Sequence, residues 1–309
     1  MATPATSFKR SGLAAQQLWP IAKIPGEETN KIIIPVRITF LGTGTSTGVP
    51  VIGCLCDTCK STDPKDRRWR PSVYLELDDG PSILVDASPD LRAQALAFNI
   101  RRVDLILLTH RHADHVLGLD DVRIFNFRQG IAIPCFGDQQ TLAEIRRMFS
   151  YVFDPSTPRG GGLPQLRLFP LAGPFSTARR TFIPVPLLHG KLPILGYRIG
   201  AFAYLTDCSE IPKASWPLLE DLDVLVLDAL RHRVHSTHFN LEQAIEIASR
   251  IGAAKTYFTH MAHDLPHKAT SAQLPSGVQL AHDGLVLNVD ERLNKNALKH
   301  GVARVPSGK

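Results

Sequence analysis

The chain has 309 residues, 44% hydrophobic and 21% charged, enough for a full core as one large domain or two small ones. No run of 18 apolar residues occurs, which excludes a membrane-spanning helix. A net charge of +6 favours anionic partners, and five cysteines, an odd and low count, argue for a reducing compartment rather than a secreted disulfide scaffold.

Residues 1–35 lack an apolar signal-peptide core and are expected to form a loosely held N-terminal extension. FKRSGLAAQQLW within them resembles a weak organellar transit helix, but Glu27 and Glu28 soon follow. A cytoplasmic location is expected, with organellar import left open. From residue 36 the pattern sharpens. VRITFLG (36–42), SVYLEL (72–77), SILVD (82–86) and VDLILLT (103–109) are aliphatic or β-branched runs bounded by Gly, Pro or Asp, and predict strands. IAIPCFG is a further apolar strand that places Cys135 in the core. Residues 138–153 carry apolar spacing near 3.6 and predict a helix, followed by a Pro/Gly-rich loop at 154–165. Strands then recur at 180–189, 194–200, 202–207 and 223–230. A helix at 240–252 is capped by Asn240 and closed by Gly252, before strands at 255–260 and 284–289. The basic tail 290–309 and the patch RRWR (67–70) read as solvated surface. Two similar strand-rich halves with a few helices predict two packed sheets with helices outside.

Directly after VDLILL stands THRHADH, with His110, His112, Asp114 and His115 inside six positions. A given triple-His spacing arises by chance about 0.02 times in a chain with 12 His, before the Asp is required. Imidazole and carboxylate are the ligands that zinc, manganese or iron accept. His110 and His112 can point to one side and hold one ion, while Asp114 and His115 reach a second after the chain turns. Further ligands are expected at other strand ends: His189 after FIPVPLL, Asp207 after FAYLT and His260 after KTYFT.

T-H-x-H-x-D-H followed by separate His, Asp and His at strand ends resembles the metallo-β-lactamase superfamily over residues 36–289, as a single hydrolase domain. The resemblance implies an αββα sandwich with two divalent metals at one edge of the sheets. It implies His110, His112 and His189 on the first metal, Asp114, His115 and His260 on the second, and Asp207 bridging both.

Cys54, Cys56 and Cys59 suit tetrahedral zinc, which needs one more ligand. Cys208 adjoins Asp207, so His263, three residues after His260 in THMAHD, is the better fourth. GTGTSTG with C-x-C-x-x-C, T-H-x-H-x-D-H and T-H-x-x-H together resemble the phosphoribosyl 1,2-cyclic phosphate phosphodiesterases of phosphonate degradation and their relatives. That branch implies a structural zinc beside a catalytic pair, often manganese, and a small phosphorylated substrate cleaved by a metal-bridging hydroxide that Asp207 orients. HSTHFNLEQA (235–244) resembles the stretch that places a non-ligand His at the scissile phosphate. His238 fits it best, with His235 and His232 as lesser candidates.

Asp86, at the end of its strand, is expected to orient a ligand His. GTGTSTG offers backbone N–H groups to phosphate or simply a tight turn, and Arg123 and Asn126 are expected substrate contacts. A transfer-RNA 3′ endonuclease is the nearest rival, but the loop at 154–165 is too short for a tRNA-gripping arm, so nucleic acid is disfavoured without being excluded. Glyoxalase-type thioesterases give no reason for the cysteines, and flavin-coupled di-iron reductases put Glu where His112 stands. A non-catalytic cofactor-biosynthesis relative is disfavoured by the intact ligand set, and a homodimer is left open.

Overall fold

The run VRITFLG forms strand β1 (Val36–Gly42), with Ile38 and Phe40 on one face and Leu41 on the other, as the two-residue period of a strand requires. The computed structural model describes residues 36–289, apart from 79, 159, 161, 178 and 179, with the backbone of 303–304. The expectations for the extension 1–35 and for most of the basic tail lie outside the described residues.

The strands are, after β1, β2 (Ser72–Leu77), β3 (Ser82–Val85), β4 (Leu105–Leu107), β5 (Ile133–Gly137), β6 (Leu166–Pro170), β7 (Phe175–Thr177), β8 (Arg180–His189), β9 (Leu192–Ile199), β10 (Phe202–Leu205), β11 (Val224–Asp228), β12 (Lys255–Thr259), β13 (Val278–Leu280), β14 (Val286–Val289) and β15 (Ala303–Arg304). The α-helices are α1 (Asp57–Lys60), α2 (Leu91–Ala97), α3 (Ala113–Val116), α4 (Arg123–Gln129), α5 (Gln139–Met148), α6 (Ser150–Phe153), α7 (Leu241–Ile251) and α8 (His267–Ser271). One sheet runs β14-β1-β2-β3-β4-β5-β6 and the other β13-β12-β11-β10-β9-β8-β7-β15.

Three apolar layers follow from strand alternation. Phe40, Leu75, Val85 and Leu107 of the first sheet meet Phe182, Tyr197, Phe202 and Val226 of the second. The outward residues Leu84 and Ile106 pack under Leu91 of α2, Phe125 of α4 and Ile145 of α5. Leu205, Leu227 and Phe258 pack under Leu241, Ala244 and Ala248 of α7. Two mixed sheets flanked by helices make the αββα sandwich.

The expected helix at 138–153 is broken at Phe149 (φ −107°, ψ 40°), which leaves the helical path and buries its ring in the outer core. Helix α7 begins at a capping box, Asn240 accepting from Gln243 N while the Gln243 side chain accepts from Asn240 N, and Gly252 closes it at φ 71°. The short elements α2, α3, α4, β6, β7 and β13 carry too few periodic residues to predict.

Candidate metal centre

Strands β3 and β4 run parallel, as do β10, β11 and β12, and β8 shares the direction of β10 through β9. Their C-terminal ends therefore deliver Asp86, the 109–115 segment, His189, Asp207, Asp228 and His260. Asp86, Asp207 and His260 adopt left-handed backbone, at φ 61°, 56° and 59°. That geometry costs of order 1–3 kcal/mol for each non-glycine residue and clusters where a site is held in place.

Asp86 sets the orientation of the first motif. Its Oδ1 accepts from the Thr109 backbone N–H at 2.8 Å, and its Oδ2 from the Thr109 hydroxyl at 2.8 Å and His115 Nδ1 at 2.7 Å. Having donated to Asp86, the Thr109 hydroxyl accepts from His110 Nδ1 at 3.0 Å. Both imidazoles thus commit Nδ1 and turn Nε2 into the site, and neither Nε2, both buried, has a hydrogen-bond partner. His189 is oriented likewise, its Nδ1 donating to the Thr237 carbonyl at 2.7 Å.

Ligand atoms of His110, His112 and His189 lie within 4.8 Å of one another, as do those of Asp114, His115, Asp207 and His260. Asp207 stands between the groups. Its Oδ1 is 3.2 Å from His115 Nε2, and its Oδ2 is 3.1 Å from His260 Nε2 and 3.9 Å from His110 Nε2. Asp114 Oδ2 is 3.4 Å from His115 Nε2 and 3.5 Å from His260 Nε2. Two N or O ligands about 2.1 Å from one tetrahedral ion stand about 3.4 Å apart. The spacings and the unpartnered ring nitrogens fit divalent metal.

The two groups differ in charge. Burial lowers the pKa of His110 and His112, and that of His189 to about 4, so these rings stay neutral. Burial also opposes charge on His115, but the carboxylates of Asp207, Asp114 and Asp86 outweigh it and hold the pKa well above the ordinary value. His260 is likewise raised to about 10 against burial, by Asp207, Asp114 and Asp228. Asp207 is held well below the carboxylate range, because His115 and His260 outweigh burial.

His263 Nδ1 lies 3.3, 3.4 and 3.4 Å from the Sγ atoms of Cys54, Cys56 and Cys59. A thiolate at 2.3 Å and an imidazole at about 2.05 Å from tetrahedral zinc stand about 3.6 Å apart, so this near-equidistant set fits zinc. The turn bearing it is pinned to the His260 segment: Thr45 N donates to Met261 O, and Met261 N to Thr43 O. Arg68 adds bonds to the carbonyls of Ala262 and Leu265. This corrects the expectation that RRWR is solvated. Arg68 is 2% exposed, and Arg70 pairs with Asp90 at 2.8 Å, leaving Arg67 as the exposed arginine. Gly44 has no room for a Cβ, which would meet the Arg68 Cβ at 2.9 Å, so close packing explains that glycine.

His238 is buried between His189 and His260, at ring distances of 4.5 and 4.8 Å. Its Nδ1 lies 2.8 Å from Asp228 Oδ2. Sequence reasoning passed over Asp228, although it ends VLVLD as Asp86 ends SILVD, the signal that flagged Asp86. Asn126 is corrected from substrate contact to structural residue. It is 2% exposed, and its amide bonds Ile131 O, Gln165 O and Gln165 N, bracing the 165 segment. Arg123 faces Asp120 at 3.2 Å on the surface. Cys135 is buried in the outer core, as expected.

The profile of the beta-lactamase superfamily domain matches residues 82–261, more than half of the chain. The chain belongs to the metallo-β-lactamase superfamily. A crystal structure described as a new diphosphatase from the PhnP family is 45% identical to this metallo-β-lactamase-fold hydrolase, covers 85% of this chain and 100% of its own, and superposes with a TM-score of 0.79. Zinc-bound PqqB from Methylobacterium extorquens shares the fold at 19% identity and a TM-score of 0.65, covering 82% and 100%. The octanoyltransferase of Porphyromonas gingivalis is 39% identical over 83% of this chain and 52% of its own. The chain spans about half the length or less of the first curated relatives it matches. No helix among the described residues is long and apolar enough to cross a membrane.

Proposed function

We propose that this hydrolase cleaves a phosphodiester, with a small cyclic phosphodiester such as a phosphoribosyl 1,2-cyclic phosphate as substrate. The observation that carries the reading is the Asp228–His238 pair, an imidazole held beside His189 and Asp207 without being needed to complete either ligand group. On this reading His110, His112 and His189 hold one divalent ion, zinc or manganese, and Asp114, His115 and His260 a second, with Asp207 shared. Bound there, such a pair supplies Lewis acidity toward phosphate oxygens and lowers the pKa of water. His238, fixed through Nδ1 by Asp228, presents its other nitrogen to the leaving oxygen as proton donor, or to the equatorial oxygens as a clamp. Asp207 holds His115 and His260 in register from within the centre. Cys54, Cys56, Cys59 and His263 hold a structural zinc that fixes the strand end bearing His260.

The 45% identical PhnP-family structure favours a second reading, a diphosphatase, in which the same groups act on a phosphoanhydride. The octanoyltransferase name supports neither, since nearly half of that protein lies outside the match. A transfer-RNA nuclease is disfavoured because the 154–165 segment spans only a dozen residues, and its described residues form no helix or strand. Zinc- and manganese-loaded protein should be assayed against bis(p-nitrophenyl) phosphate, a phosphoribosyl cyclic phosphate and a nucleoside diphosphate. Turnover of the two diesters supports the first reading, and turnover of the diphosphate alone replaces it with the second.

A further inference from the structure

At three strand ends a threonine stands directly before a residue of the centre: Thr109 before His110, Thr206 before Asp207 and Thr259 before His260. All three threonines are buried, but their hydroxyls are used differently. That of Thr109 bonds Asp86 and His110 Nδ1, both on the side of the ring turned away from the centre. That of Thr259 has no hydrogen-bond partner. That of Thr206 donates to Oδ1 of Asp207 at 2.6 Å, within the range of hydroxyl bonds to a carboxylate. Of the three, Thr206 alone grips an oxygen that itself faces the ligand groups.

This bond makes the two oxygens of Asp207 unequal. Oδ1, tied to Thr206, lies 3.2 Å from His115 Nε2, in the second ligand group. Oδ2 lies 3.1 Å from His260 Nε2 of the second group and 3.9 Å from His110 Nε2 of the first. A carboxylate turns about its last bond in a broad, two-fold torsion, so nothing intrinsic to aspartate preserves that division. Without the Thr206 anchor, Asp207 would be free to set both oxygens on the second group, where Asp114 already stands. The first group would then keep its three imidazoles and no carboxylate.

We propose that Thr206 is a positioning residue: its hydroxyl anchors Oδ1 and thereby presents Oδ2 to both ligand groups, which keeps the centre binuclear. The inference rests on the two-ion assignment in which Asp207 is shared, and not on which substrate is cleaved. It makes a specific demand. Loss of the hydroxyl should weaken one ion and spare the other, because only the first group loses its share of the carboxylate.

The test is titration of the full chain with manganese(II) after dialysis against chelator, read by calorimetry and by electron paramagnetic resonance. Manganese suits carboxylate and imidazole while thiolates select zinc, so the titration reads these two groups and not the cysteine turn. The wild type should take up two ions and show the spectrum of a coupled pair. Thr206→Val and Thr206→Ala remove the hydroxyl with and without keeping the buried volume. Both should bind one ion as before and the other roughly 10–100-fold more weakly, the usual effect of losing a group that orients a ligand. Their spectra should be those of isolated ions, and Thr206→Ser should restore the coupled pair. Unchanged affinities and coupling in Val and Ala would overturn the proposal. So would equal weakening of both ions together with a lower melting temperature of the metal-free protein, or failure of both variants to fold while Ser folds, since either assigns the bond to the fold. A wild type that never forms a coupled pair would remove the two-ion assignment and the proposal with it. Turnover of bis(p-nitrophenyl) phosphate decides the phosphodiesterase reading separately.

Discussion

The carbonyl oxygen of Thr237 lies 2.7 Å from Nδ1 of His189, so a backbone group, not a side chain, orients this imidazole. Any residue with an ordinary backbone at 237 supplies the same carbonyl. Thr237→Ala should therefore leave bound metal unchanged by elemental analysis, whereas His189→Ala or Asp207→Ala should lose metal and nearly all hydrolysis. Near-normal turnover by Asp207→Ala would remove the shared-ligand assignment.

His238→Ala should keep its metal and its fold, with kcat reduced by roughly 10²–10⁴, the range for one positioned proton-transfer group. A p-nitrophenolate leaving group needs little protonation, so its loss should be smaller than that of an alkoxide-leaving substrate. Equal losses would assign His238 as a clamp. Asp228→Asn keeps an acceptor for Nδ1 but removes the charge, and should fall between wild type and His238→Ala. Metal missing from His238→Ala would show it to be a ligand.

Cys54→Ser should release one zinc and lower the melting temperature, because a structural zinc contributes its binding free energy to folding. His263→Ala should behave alike, since its Nδ1 stands within 3.3–3.4 Å of all three thiols. Zinc retained in full by Cys54→Ser would remove the four-residue site, and zinc retained by His263→Ala alone would reassign only the fourth ligand.

Metal uptake should release protons unequally from the two groups. His110, His112 and His189 have lowered pKa values, so near pH 7 they bind an ion without giving up a proton. His115 and His260, the latter near 10, carry protons between the carboxylates and must lose them to coordinate. As pH falls, protons compete better for these two raised sites, and affinity should drop there first. Calorimetric titration of metal-free protein in buffers of different ionisation enthalpy reads the proton count. Uptake of two ions with no proton release would contradict this charge arrangement.

The side chains that meet at the strand ends were legible because each breaks an apolar run at its end, as His189 closes FIPVPLL and His260 closes KTYFT. His263 was legible from its three-residue offset. Which sheet each strand joins was not, because register depends on partners far away in sequence, such as the pairing of β1 with β14. Arg68 escaped notice because nothing in RRWR marks the one guanidinium that two carbonyls draw inside. Asn126 looked functional by its place after the metal motif, yet its three bonds serve a neighbouring loop.

The ligand groups draw on both sheets, the 109–115 segment following β4 of one and His189, Asp207 and His260 closing strands of the other. On the proposed assignment the ions act as rivets through the sandwich, adding to the apolar side chains and the backbone bonds that already join the halves, such as Thr45 N to Met261 O and the β1–β14 ladder. A chain cut between β7 and β8 would separate the two contributions, and neither fragment alone would own a complete coordination set. Mixing the fragments should restore metal uptake only when the two halves reassemble. Loading with metal would then report docking of the halves, and chelation should weaken that docking.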